Sequence, residues 1–283
     1  MSSKQDKNKM KPWVGWLLFF VTIGVVFLLG MLAASITQRR AEITSMMYNR
    51  MVDITGIESR SEVFATDFPR QYESWTQTAD TTFQSEFNGS SIVDVLEQRP
   101  EMVILWAGYA FSKDYGTPRG HMNAVEDIIH TLRTGAPMTD EEGPQPATCW
   151  TCKSPDVPRM MDSVGVAEFY NKTWAHWGHE IVNPIGCADC HNAETMDLQI
   201  SRPALIEGYE SMGLNIQEST HQDMRSLACA QCHVEYYFTP EGKYLIFPWH
   251  NGMTMEGAEQ YYDSIQFADY THALSKASRL RNL

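Results

Sequence analysis

Read from its N-terminus, the chain opens with a polar stretch carrying Lys4, Lys7, Lys9 and Lys11, and then loses charge altogether from Trp13 to Ile36. An apolar helix of that length is about 36 Å long. Crossing the hydrocarbon layer takes roughly 20 residues, so the segment is long enough to span a bilayer. The preceding lysines predict a cytoplasmic N-terminus, and Arg39 and Arg40 beyond the segment weaken that asymmetry. A cleaved signal peptide is the competing reading, with Ala33-Ala34-Ser35 as the cut site, although the apolar region exceeds the roughly 7–15 residues usual there. Both readings put the remainder outside the cytoplasm.

Beyond the span, Ile43, Met46, Met47, Met51 and Ile54 recur at helical spacing and predict a stalk or first helix. Asp67-Phe68-Pro69 turns the chain into an aromatic-rich part, and Asn88-Gly89-Ser90 carries a further turn signal. Residues 91–106 read as short helices broken at Pro100, and 109–120 as a loop. His121 then opens an amphipathic helix through Ala124, Val125, Ile128, Ile129 and Leu132, which Gly135 and Pro137 end. Tyr170 to His179 and Pro203 to Met212 are also helical in pattern. Tyr236-Tyr237-Phe238 and Leu245-Ile246-Phe247, about Glu241-Gly242, predict one small hairpin. The expected fold is therefore mainly α, with little β and one N-terminal transmembrane helix. Its expected divisions are a cytoplasmic N-terminus (1–12), the span (13–36), a helical stalk (37–66) and one main domain (67–283).

Composition narrows the function classes. With 43% hydrophobic and 11% aromatic residues, the 283-residue chain has the material for an ordered core. Its formal charge of -13 lacks the clustered cations that phosphate backbones require, which sets nucleic acid aside.

The six cysteines all fall in C-x-x-C pairs. Cys187-Ala188-Asp189-Cys190-His191 and Cys229-Ala230-Gln231-Cys232-His233 fit covalent attachment of c-type haem, with His191 and His233 as proximal ligands. Structural zinc would want the pairs about 15–20 residues apart, and here the intervals are longer. Cys149-Trp150-Thr151-Cys152-Lys153 puts a lysine where the others have histidine. A thioredoxin-type dithiol needs a preceding buried strand, which Pro144 to Thr148 does not supply. A lysine-ligated haem remains, and it requires Lys153 to lose its proton, which burial and the positive iron both favour. Histidines available for opposite haem faces are His121, His130, His176, His179, His221, His250 and His272, with His121 foremost.

Four stretches together carry a family resemblance. They are Thr131 to Pro137, Cys149 to Val157, Gly186 to His191, and Cys229 to Phe238 with its Glu235-Tyr236-Tyr237. They resemble the ammonia-forming cytochrome c nitrite reductases, over about Phe68 to Lys276. The resemblance implies a periplasmic, homodimeric enzyme that reduces nitrite to ammonium by six electrons at the lysine-ligated haem, fed by bis-histidine haems. It further implies that Arg133 and Tyr236 line the open face of that haem, that Glu235 and the backbone of Tyr236 bind calcium, and that His121 is the distal ligand of the third haem. Electrons would come from a membrane quinol-oxidising cytochrome. Family members continue after Leu274-Ser275-Lys276 with a Lys-x-Gln-His segment and two more haem motifs. This sequence reads Ala277-Ser278-Arg279-Leu280 there, so an N-terminal portion of the enzyme is expected. The alternative function is a membrane-anchored electron carrier in which Lys153 merely fills a six-coordinate site.

Overall fold

The computed structural model describes residues 11–48, 50–82, 84–86, 88–89, 91–132, 134 and 145–280. The chain divides into two units, Met1–Met51 and Val52–Leu283.

Among its described residues, the first unit is a single helix, Pro12–Tyr48, followed by two residues of irregular chain. Proline opens it where its missing N–H costs nothing. Its apolar residues run round the whole circumference, and Trp16, Phe20, Phe27 and Leu28 are all exposed. The stretch Pro12–Ile43 is long and apolar enough to cross a membrane.

The second unit is built of short helices. Asp156–Val164 buries Val157, Met160 and Met161 at the i, i+3, i+4 positions of one face. Gly165, at φ 88°, ends it in a conformation that costs a side-chain-bearing residue dearly, and Val166–Tyr170 starts at once. Thr173 then caps Trp174–Gly178, so Tyr170 to His179 is two helices with a break. Pro203–Ser211 takes the span expected of it, to within a residue. Thr220 and Asp223 close a capping box on His221–Ala230, which delivers the chain into the third C-x-x-C pair.

Strands are minor. Tyr237–Phe238 pairs antiparallel with Leu245–Ile246, the expected hairpin. Two further two-stranded pairings join Gln84–Ser85 to Asn88–Gly89 and Tyr270–Thr271 to Ser278–Leu280. Asn88-Gly89 is thus itself strand, and the turn precedes it.

Most of the buried apolar side chains form one cluster around Trp150, Phe169, Trp174, Leu205 and Phe247. A smaller one joins Ile54 and Phe64 to Ala188 and Ala193. Residues 52–66, grouped with the stalk on sequence grounds, therefore pack in the second unit against the second C-x-x-C segment. Ser61 Oγ accepts the Cys187 N–H at 3.3 Å, and the Trp75 indole donates to the Ile185 carbonyl at 2.8 Å.

The helix expected from His121 to Leu132 is shorter and tighter. His121–Asn123 is a 3-10 turn and Ala124–Ile129 the α-helical part. Asp114 accepts the Leu132 N–H at 2.7 Å, the Thr134 hydroxyl bonds the Ile128 carbonyl, and Leu132 points to solvent instead of continuing the apolar stripe. Gly135 and Pro137 lie outside the described residues.

Candidate functional site

The three C-x-x-C segments come together although they are far apart in sequence. Cys232 of the third lies beside Cys152 of the first, and the neighbouring thiol lowers the Cys152 pKa to about 7 against the opposing effect of burial. Cys190 of the second is pushed up to about 11, by burial first and then by Asp189 and Cys229. These sulfurs stand where thioether sulfurs would be once haem is attached, so the shifts matter here as a measure of proximity. The third segment therefore touches both of the others.

A buried polar group joins all three. Arg202, fully buried, donates from Nε to the Thr151 carbonyl at 2.6 Å and from Nη2 to the Ser154 carbonyl at 2.9 Å. Nη2 also meets Asp189 Oδ1 at 2.5 Å, and Nη1 meets Ser201 Oγ at 2.6 Å. Gln231 Nε2 donates to the Asp189 carbonyl at 2.7 Å, while its Oε1 accepts from the Ser201 N–H at 3.0 Å. Burial opposes the guanidinium charge, but Asp189 beside it holds the pKa above its ordinary value. Removing one partner of such a pair would cost about 3–5 kcal/mol. Sequence reading missed this residue. Its one local signal is a cation at the N-terminus of Pro203–Ser211, where the helix dipole disfavours it.

Lys153 and Cys149 line a cavity of about 760 Å³ together with Glu235, Tyr236, Phe111 and Asp269. Its size and largely aromatic walls suit a planar cofactor. Behind Cys149, Trp150 stacks on Trp174 with centroids 3.4 Å apart and planes 6° apart, both fully buried. Tyr236 is 46% exposed and stacks on Phe238. Glu235 accepts from the Tyr262 hydroxyl at 3.0 Å, yet burial and the nearby Asp269 raise its pKa. Asp269 is likewise raised by burial. Both carboxylates line the cavity, and among the described residues no cluster of three or more metal-ligating side chains occurs, so a divalent cation there would draw most of its shell from backbone carbonyls and water. Sequence reading did not single out Asp269. Arg133, placed by resemblance on the same face, lies outside the described residues.

His121 and His233 face each other with ring centroids 6.4 Å apart. Two imidazole nitrogens each about 2 Å from one metal atom put the ring centres roughly 6 Å apart, so the pair fits bis-histidine ligation. His121 is held by its neighbours. Arg119 makes a two-pronged ion pair with Asp127, and Met122 N–H donates to Thr78 Oγ at 3.2 Å. A Cβ on Gly120 would lie 2.1 Å from the Thr78 carbonyl oxygen, so only glycine permits that approach. His121 keeps solvent access at its surface, yet the protein packed around its ring and then His233 lower its pKa, which favours the neutral imidazole that ligates metal.

His191 Nδ1 lies 2.9 Å from the Met196 carbonyl, leaving Nε2 for iron. Met196 holds that carbonyl in place at φ 60°, a conformation uncommon for a residue with a side chain. The other histidines are engaged elsewhere or point outward. His250 stacks on Tyr261 at 4.4 Å, His176 packs edge-on to Trp177, and His272 Nε2 meets the Ile104 carbonyl at 2.8 Å. His130, His179 and His221 are exposed.

A family profile for cytochrome c552 matches residues 60–281. The chain belongs to the cytochrome c552 family. The cytochrome c-552 of Bacteroides fragilis strain ATCC 25285 is 64% identical over 275 residues, which cover 97% of this chain and 56% of the relative. That of Porphyromonas gingivalis W83 is 61% identical, covering 98% and 56%, and that of Desulfotalea psychrophila 47%, covering 89% and 50%. The chain thus spans about half the length of the curated cytochromes c552 it matches. Among solved structures, the cytochrome c nitrite reductase of Desulfovibrio desulfuricans, a catalytic subunit with two calcium sites, matches with a TM-score of 0.74 and 30% identity. The match covers 80% of this chain and 54% of that one. The mainly helical fold is therefore that of a cytochrome c552 and its nitrite-reducing structural relative.

Proposed function

We propose that the chain carries the nitrite-reducing centre of a cytochrome c552, and that nitrite is converted to ammonium at a haem attached to Cys149 and Cys152 and ligated by Lys153. The observation that carries this reading is that Lys153, Cys149, Tyr236 and Glu235, four residues from two distant segments, line one cavity. When bound, haem supplies the redox-active iron at which nitrite accepts electrons.

The chain's own residues bind, orient and protonate. Arg133, by resemblance, meets the nitrite anion and stabilises negative charge on its oxygens. Tyr236 donates hydrogen bonds and hands protons to those oxygens as they leave as water. Glu235 and the backbone of Tyr236, with Asp269 alongside, would hold calcium, and a cation there would brace that stretch of backbone against the cavity. His121 and His233 would hold the iron of the third haem, and His191 that of the second. The third segment touches both others, so groups attached to the three segments would lie close together. A retained Pro12–Ile43 helix holds the protein at the periplasmic face of the membrane, within reach of a quinol-oxidising cytochrome.

The test is nitrite-dependent oxidation of a reduced dye by the haem-loaded chain and by a Tyr236→Phe variant. The reading predicts turnover in the first and a reduction of about 100-fold in the second, the usual size of a proton-transfer contribution. A chain that binds haem yet neither turns over nitrite nor changes its spectrum with it is an electron carrier.

A further inference from the structure

The geometry assigns Arg202 as a positioning residue for Lys153. The inference rests on the reading that Lys153 ligates haem, and concerns what makes that ligation workable. A histidine after C-x-x-C is short and stiff. Lysine has a flexible four-carbon stem, so its nitrogen reaches one point reproducibly only if the backbone beneath is fixed.

Here that backbone is gripped from both sides. Arg202 Nε binds the carbonyl of Thr151, two residues before Lys153, and Nη2 binds the carbonyl of Ser154, the residue after it. The guanidinium is itself anchored by Asp189 of the second attachment segment and by Ser201. Lys153 N–H closes the turn from within, donating to the Trp150 carbonyl at 2.9 Å. The rigid fork of guanidinium donors is needed, because a lysine at position 202 brings its three donors to a single point and cannot reach Thr151, Ser154 and Asp189 together. Arg202 does not line the cavity that Lys153, Tyr236 and Glu235 share. Its effect is therefore exerted through the Lys153 segment.

The experiment compares haem-loaded wild type with Arg202→Lys, Arg202→Gln and Lys153→His. Haem content is read by intact mass, and the first haem by its high-spin spectrum and by cyanide titration. In both Arg202 variants, the inference predicts three attached haems and an unchanged His121/His233 low-spin signal. It also predicts an altered high-spin signal, with cyanide affinity changed roughly 10-fold or more, the usual effect of disturbing a ligand's support. Selective failure to attach the first haem carries the same meaning. Wild-type spectra and affinity in Arg202→Lys and Arg202→Gln, or loss of all three haems together, overturn the inference, the latter because it marks a general role in folding. A Lys153→His spectrum identical to wild type overturns instead the reading of Lys153 as a ligand, so the two failures are told apart.

Discussion

At the scale of single residues, the His121–His233 pair makes the sharpest claim, since their 6.4 Å separation is what two imidazoles facing one metal atom require. Replacing His121 by Ala should convert the third haem from low to high spin, visible by electron paramagnetic resonance, with the haem still attached through Cys229 and Cys232. An unchanged low-spin signal would mean another distal ligand. The proposed attachment motifs can be read from sequence because thioether chemistry asks for cysteine and ligand within five consecutive residues. Arg202 and Asp269 were not, because each acts on a partner distant in the sequence, Thr151 and Glu235 respectively, and nothing near either residue records that pairing.

At the scale of elements, Asp156–Val164 ties the Lys153 segment to the loop before the second motif. The buried Asp156 carboxylate accepts from the Val182 and Asn183 N–H groups at 3.0 and 2.9 Å and from the Asn183 side chain at 3.0 Å. Burial alone would raise its pKa, but these bonds outweigh it and lower the value. A depressed carboxyl stabilises the fold above its unfolded value of about 3.9. That contribution fades as pH falls through the lower folded value. Asp156→Asn should therefore lower stability by about 2 kcal/mol at neutral pH. In denaturant unfolding of the haem-loaded protein, the gap between variant and wild type should narrow in acid; a gap independent of pH would contradict the assignment. Apolar spacing located this helix face and that of Pro203–Ser211, where packing follows period. It overran at His121 to Leu132, where Asp114 and the Thr131 and Thr134 hydroxyls terminate the helix early, side-chain chemistry that period cannot register.

At the scale of the molecule, the uncharged span was legible from its length alone, and Pro12–Tyr48 is one unbroken helix. If it anchors the protein, the intact chain stays with the membrane pellet after an alkaline wash; a soluble periplasmic product lacking the first residues would show a cleaved leader instead. The arrangement of the second unit was legible only through resemblance, since its motifs are joined by buried polar contacts and not by a repeating pattern. The central claim is that the Lys153 haem is open to nitrite. It is tested most directly by titrating the haem-loaded chain with nitrite while recording visible and electron paramagnetic resonance spectra, wild type beside Lys153→His. The account predicts a high-spin signal that nitrite converts to low spin and that the substitution alters. A nitrite response absent from the wild type, or indifferent to the residue at position 153, would contradict it.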